Sequence, residues 1–443
     1  MRGETFRWFL VLSSVPFVMV LGNSMLIPVL PAIKSHLGLT PVQTGLVITA
    51  FSLPAAITIP FAGALSDRIG RKPVMVPALV LYGLGGILAG IGAWLLPGRF
   101  WPVLGARILQ GIGAGGTYQL AMALAGDVFQ SSERSRALGL LEASNGLGKV
   151  VSPLIGALAA MVVWFLPFFV YGAIALPAAV GVWLVVREPG HERQAQGLAG
   201  YWARLAEIAK TRGAALLAGY GAGMMVLFAL FGVLSLISDE LESRFRLSQL
   251  VRGGIIAIPV GVMAIVAFLG GLYLQNRPQQ VKPMIVAGLA ASAVALGAMA
   301  VVRQPLWLLI TLAALLGLGT GISLPAVNTL VTGAASRSQR GAVTALYGTV
   351  RFAGVAAGPP LFGLAGNPSM RLVIFGLSAL ASAGLAWAMG LIQVPQAAVR
   401  QQGAAENEGS PPEGEVNGDQ GGPATSFDPS PWREGAEGQP DIG

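Results

Sequence analysis

The stretch "LLEASNGLGKVVSP", residues 140–153, sets a carboxylate, a carboxamide and an ammonium at Glu142, Asn145 and Lys149 within an otherwise apolar run. Spacings of three and four put all three on one face of a helix. A carboxyl withdrawn from water beside a displaceable cation can exchange a proton, and a cation in the same place can hold an anion. The same three residues would equally form a static ion-pair network that fixes packing. Two more cations sit in apolar surroundings, Arg351 in "YGTVRFAGVAAGPPLFG" (347–363) and Arg107 in "RILQGIGAGG" (107–116). Other reactive groups are scarce. Cysteine is absent and His36 and His191 are the only histidines, which removes thiol nucleophiles, disulfide scaffolds and Cys/His zinc sites. With no nucleophile–base pair or metal cluster, the chain is not expected to be an enzyme, and no metal or cofactor is expected.

The elements that must carry these residues follow from composition. Hydrophobic residues make up 54% of the 443 and charged residues 11%, against roughly 25% charged in a soluble domain. Apolar runs near the ~20 residues needed to cross a bilayer recur along the chain. Spans are predicted at 8–33, 43–65, 73–96, 101–126, 136–160, 163–186, 214–237, 251–275, 283–303, 306–332, 341–365 and 371–393. The first is too long for a signal-peptide core and counts as span 1. In span 5, Glu142 lies about 9 Å and Lys149 about 20 Å beyond Arg136 along the helix, and Arg351 lies about 15 Å into span 11. Lys149 is therefore near the bilayer midplane, and its face must look into a bundle rather than toward lipid.

From residue 396 onward there are nine acids and two bases, against totals of 20 and 28, so the body carries about +15 of a chain whose net charge is +8. With the N-terminus inside, the inner joints hold sixteen Lys/Arg and the outer joints six. That bias places both termini in the cytoplasm and explains the basic balance without nucleic acid. The expected organisation is a six-helix bundle over 1–186, a cytoplasmic linker over 187–213, a second bundle over 214–395 and a disordered cytoplasmic tail over 396–443. A shift of 206 residues superposes Gly111 on Gly317, Gly113 on Gly319, Gly115 on Gly321, Gly148 on Gly354 and Pro153 on Pro359. A constant offset of six spans means two halves in the same orientation, an arrangement that places substrate between them near the midplane.

The joint of spans 2 and 3 reads "GALSDRIGRKP" (63–73) and resembles, at every position, the loop signature of the major facilitator superfamily. With the "RILQGIG" of span 4 and the "GKVVSPLIG" of span 5, the chain is similar to the twelve-helix drug:proton antiporters of that family. The resemblance implies a cytoplasmic gating loop of Gly63, Asp67, Arg68, Gly70, Arg71 and Lys72, with Asp67 facing the start of span 11 when the transporter is open outward. It also implies a proton-coupling role for Arg107. Bends are expected at Gly148, Pro153 and Gly156 in span 5 and at Gly358 and Pro359 in span 11. Two departures stand out: Ser152 precedes Pro153 where the antiporters have glycine, and Asn23 stands in span 1 where many proton-coupled relatives have an acid.

The expected fold class is therefore an all-α membrane protein of twelve transmembrane helices in two pseudo-symmetric six-helix bundles. Glu142 and Arg107 are the candidates for proton coupling. Asn23, Asn145, Lys149, Arg351, Met224 and Phe228 are the candidates for the substrate cavity, Met and Phe suiting an adaptable apolar wall. The expected function is alternating-access, proton-coupled efflux of small amphipathic compounds or drugs. The alternatives are a carrier of a defined, possibly anionic, metabolite and a non-transporting receptor or channel. Expected partners are a small-molecule substrate, protons and membrane lipid, with no nucleic acid, for a monomer in a bacterial plasma membrane.

Overall fold

The computed structural model describes residues 3–129, 131–188, 198–275, 277–301, 305–333 and 340–391, and among these it is helical without strands. Where helices stop is set by prolines, glycines and caps. Pro28 has no N–H to give the Ser24 carbonyl, so span 1 divides into α1 (Gly3–Ser24), a 3-10 turn at Ile27–Val29 and α2 (Leu30–Leu37). α3 (Pro41–Ile69) starts with a reciprocal cap: the Gln43 N–H donates to Thr40 Oγ1 at 3.3 Å, and the Thr40 N–H to Gln43 Oε1 at 2.9 Å. Gly70, at φ +105°, separates α3 from α4 (Arg71–Leu95). Span 4 also divides, into α5 (Phe100–Gly115) and α6 (Tyr118–Val128). Helix-weakening glycines accumulate there, and the Thr117 hydroxyl donates to the Ala114 carbonyl at 2.7 Å. The expectation of one unbroken helix in spans 1 and 4 is corrected accordingly.

The remaining helices are α7 (Ser131–Val162), α8 (Leu166–Val185), α9 (Leu198–Ser243), α10 (Gln249–Gln275), α11 (Val281–Val301), α12 (Leu306–Gly333), α13 (Arg340–Gly363) and α14 (Pro368–Leu391). α9 runs 46 residues without a break, so the second part of the expected linker and span 7 form one helix. Ten helical segments among the described residues are long and apolar enough to cross a membrane. The other two spans are the divided α5–α6 pair and α13, whose Arg351, Tyr347, glycines and paired prolines lower its hydropathy. The expected tail, from 396 onward, lies outside the described residues.

The repeat seen in the sequence is a repeat of contacts. A side-chain carbon on Gly111 would meet the Phe51 backbone on α3, and one on Gly317 the Pro259 backbone on α10. Gly113 faces α4 at Tyr82 and Gly319 faces α11 at Gly288 and Ser292. Gly148 rests on Phe17 of α1 and Gly354 on Met224 of α9. Each glycine of one half thus brings together the same pair of helices as its counterpart 206 residues later. The architecture is twelve membrane spans in two pseudo-symmetric six-helix bundles.

Two seams join the halves, α3 against α13 and α7 against α10. At the end of the bundle opposite the Gly70 turn, Lys34 Nζ pairs with Asp239 at 2.6 Å and the Ser238 hydroxyl donates to the Ile27 carbonyl at 2.7 Å. In the α3–α13 seam, Thr49 Oγ1 donates to the Ala356 carbonyl at 2.6 Å and Thr349 Oγ1 to the Ala56 carbonyl at 2.9 Å. The halves are closed on each other at that far end, and a cavity lies between them toward the Gly70 end.

Candidate functional site

The cavity has a volume of about 760 Å³, within the usual range for small-molecule sites. Both halves line it, from Asn23 and Lys149 at depth to Gly139 and Gln275 near the Gly70 end of the bundle. Its charged lining residues are Glu142, Lys149 and Arg351. Glu142 and Lys149 come from α7, whose 3.6-residue period carries them and Asn145 inward together. Arg351 reaches the same space from α13 and stacks over Tyr347, 5.3 Å from the ring centre. Much of the remaining wall is apolar, including Met19, Leu227, Phe231, Met263, Phe268 and Phe352.

Glu142 accepts a hydrogen bond from the Tyr118 hydroxyl, itself in the cavity wall at the start of α6. Among the described residues, neither Lys149 Nζ nor the Arg351 guanidinium pairs with a carboxylate or donates a side-chain hydrogen bond. The α7 residues therefore do not neutralise each other as a closed ion pair. The carboxylate is held by a phenol, and two cations are left facing the same space.

Arg107 is fully buried and lies beside the cavity rather than in its wall. Its guanidinium donates to Gln110 Oε1 at 2.6 Å, the Gly22 carbonyl at 2.8 Å, Asn23 Oδ1 at 3.0 Å and the Val47 carbonyl at 3.3 Å. The rings of Phe51 and Tyr171 lie 4.6 and 5.8 Å from it. This five-donor group thus braces the point where α1 ends, and it does not reach Glu142. Asn23 connects the two regions: it lines the cavity, accepts from Arg107 and donates to Ser52 Oγ at 2.7 Å.

Four of the six residues expected in the cavity, Asn23, Asn145, Lys149 and Arg351, line it; Met224 and Phe228 do not. α9 presents Leu227, Leu230, Phe231 and Leu234 to the cavity, while the backbones of Met224 and Phe228 lie where Gly354 and Gly358 let α13 approach. The Phe228 ring meets Phe362 edge to face, 5.5 Å between centres. Sequence reasoning missed Tyr118, Gln119 and Asn328 in the wall. The first two follow the glycine run of span 4, and a polar pair restarting a helix inside a span was the available signal.

The expected bend residues are points of close approach. Gly156 meets the Met25 carbonyl, Pro153 lies against Gly253 of α10, and Gly358 and Pro359 lie against Phe228 and Gly45. α7 and α13 remain helical through them. In the 63–73 loop, Arg71 pairs with Asp67 and, at 3.3 Å, with Asp127 of α6, and donates to Ser66 Oγ at 2.7 Å. The Glu188 carboxylate accepts from the backbone N–H groups of Arg71 and Lys72, capping α4. Lys72 Nζ donates to the Val186 carbonyl at 2.6 Å. Gly70 needs its left-handed conformation, and a side-chain carbon there would collide with Glu188. Gly63 has open space around it and Arg68 is exposed. The start of span 11, which Asp67 is expected to face, falls at residues whose side chains lie outside the described set.

Comparison with known proteins agrees with this geometry. The family model of the Major Facilitator Superfamily matches residues 12–359 and again 280–435. The chain is 36% identical over 378 residues to the Bacillibactin exporter of Bacillus subtilis (strain 168), covering 84% of this chain and 93% of that protein. It is 33% identical over 180 residues to Multidrug resistance protein 2 of the same organism, 41% of this chain and 44% of that one. It is 30% identical over 173 residues to Quinolone resistance protein NorA of Staphylococcus aureus (strain MRSA252), 39% of this chain and 43% of that one. In fold it is similar to a bacterial homolog of the human lysosomal transporter Spinster in an inward-facing, unoccupied conformation, with TM-score 0.68 at 20% identity, covering 92% and 96% of the two chains. It is likewise similar to the human organic anion transporter MFSD10, with TM-score 0.65 at 21% identity, covering 87% and 100%. The chain therefore belongs to the Major Facilitator Superfamily and is a multi-pass membrane transporter of small molecules, not an enzyme.

Proposed function

We propose that this transporter is a proton-coupled exporter of small amphipathic compounds, working by alternating access in a bacterial plasma membrane. The observation that carries the reading is Glu142. It is a carboxylate on the wall of a largely apolar cavity between the halves, held by a neutral phenol and facing two cations. Such a group can gain and lose a proton as the cavity changes sides, while the apolar wall takes up the substrate. The similar full-length protein from B. subtilis is named as an exporter. The excess of basic joints on the Gly70 side supports a cytoplasmic placement for that end and for both termini. In this orientation the structure corresponds to the cytoplasm-facing state, with Lys34 and Asp239 closing the outer side.

The proposal includes six-helix units at 1–186 and 214–395, a cytoplasmic linker at 187–213, a disordered cytoplasmic tail from 396, a monomer surrounded by lipid, and the 63–73 loop as the inner gate. Arg107 acts in it by positioning Asn23 and the end of α1 rather than by carrying the proton. Lys149 and Arg351 support a second reading, a carrier of a defined anionic metabolite. The apolar wall fits an amphiphile better than a wholly polar metabolite. The test is uphill movement of a lipophilic dye in proteoliposomes under an imposed proton gradient. Accumulation that collapses with a protonophore supports the reading. Movement that ignores the gradient overturns it.

A further inference from the structure

Resting on that transport reading, we infer that the substrate is an amphiphile with an acidic head group, and that it reaches the cavity sideways from the membrane between α7 and α10. Charge gives the first part. Among the described residues three charged side chains line the cavity: two are cations without a carboxylate partner, and the acid is held by Tyr118. Lys149 and Arg351 lie about 20 and 15 Å along their helices from the Gly70 end, at depths where unpaired charge is costly. An anionic head between them relieves that cost, whereas a cationic head would add a third positive charge. Met19, Leu227, Phe231, Met263 and Phe352 around the same space suit the apolar part of such a molecule.

The two seams give the second part. The α3–α13 seam is joined from Gly363 against Pro41 and Gly45 against Pro360 to Thr349 on Ala56 and Gly348 beside Ile59. The α7–α10 seam is packed at the far end, where Gly253 meets Pro153 and Ala157. Toward the Gly70 end, Gly139 and Gly146 of α7 and Gly271 of α10 line the cavity with nothing within 4 Å of an added side-chain carbon. Leu147, Ile265, Phe268 and Leu269 border this gap. They line the cavity, yet they are 58%, 61%, 60% and 56% exposed. The cavity wall thus continues into an apolar outer surface on this side, a path that an acyl or aryl chain can follow without entering water.

The test uses the full-length protein and a dansyl-labelled undecanoic acid, with probes of the same chain ending in an alcohol or a trimethylammonium group. In micelles the acid should bind on the order of tenfold tighter than the ammonium probe. Lys149→Gln and Arg351→Gln should each weaken it several-fold, and Glu142→Gln, which removes the one negative lining charge, should tighten it. Equal or tighter ammonium binding, or indifference to the Lys149 and Arg351 variants, overturns the head-group assignment. For access, Leu147→Trp and, independently, Leu269→Trp narrow the gap. Each should slow capture of the membrane-dissolved acid in liposomes severalfold, by more than any change it makes to affinity in micelles, where no bilayer has to be crossed. Unslowed capture in both variants, or a short water-soluble organic anion competing as well as the long-chain acid, overturns the lateral path. If cationic dyes move with protons while the acid never binds, the inference fails and the transport reading stands. If the acid binds as predicted but nothing is transported, the transport reading fails and the head-group assignment stands.

Discussion

Glu142 meets the Tyr118 hydroxyl across 24 positions of sequence instead of pairing with Lys149 on its own helix. Tyr118→Phe deletes that donor and should lower coupled transport severalfold while the protein still binds substrate, read as proton flux against binding in the same preparation. Arg107 braces the end of α1 against α3 through buried hydrogen bonds. Arg107→Ala leaves the Gln110 and Asn23 side-chain oxygens without their donor, while the Gly22 carbonyl keeps the Tyr171 hydroxyl, at about 1–3 kcal/mol for each buried group left unsatisfied. The purified variant should therefore melt many degrees lower or fail to accumulate, and an unchanged melting temperature would contradict the clamp. Periodicity alone revealed Glu142, Asn145 and Lys149, because one helix face is local information. The phenol partner and the carbonyl acceptors of Arg107 were hidden because they arrive from other helices. Met224 and Phe228 were misplaced for a related reason: the glycines of α13, not any property of α9, decide which face of α9 looks inward.

Gly156 shows how close the helices come, since a side-chain carbon there would sit against the Met25 carbonyl of span 1. Gly156→Val should drive α7 from span 1 and lower the amount of folded protein recovered, measured by size-exclusion chromatography; Gly139→Val, in open space, should not. At the Gly70 turn, Glu188→Ala removes the cap of α4 and should cost about 1 kcal/mol of stability, seen as a small fall in melting temperature. The twelve spans were legible because each must bury or expose nearly continuous apolar surface, and the 206-residue offset was legible because both halves need glycine at the same helix crossings. The breaks in spans 1 and 4 were not. Hydropathy does not register a missing N–H at Pro28 or a glycine run that unwinds one turn, yet α6 owes the position of Tyr118 to that second break.

The two halves meet at the far end through Lys34 and Asp239, half-exposed groups on α2 and α9. In a chain without cysteine, Lys34→Cys with Asp239→Cys gives a thiol pair that a short bis-methanethiosulfonate linker, spanning the reach of the lost lysine side chain, should tie shut. Cross-linking should abolish transport and reduction restore it; full transport in the cross-linked protein would contradict a closure that must open in each cycle. Which end is closed was not legible in the sequence, because both ends are assembled from contacts between halves far apart in the chain. If Glu142 carries the proton exchanged for substrate, adding a transported amphiphile to proteoliposomes that contain a pH-sensitive dye reports it as proton movement. The wild type should show a substrate-dependent proton signal and Glu142→Gln should show none while still binding the amphiphile. An undiminished signal in Glu142→Gln would mean that another group carries the proton.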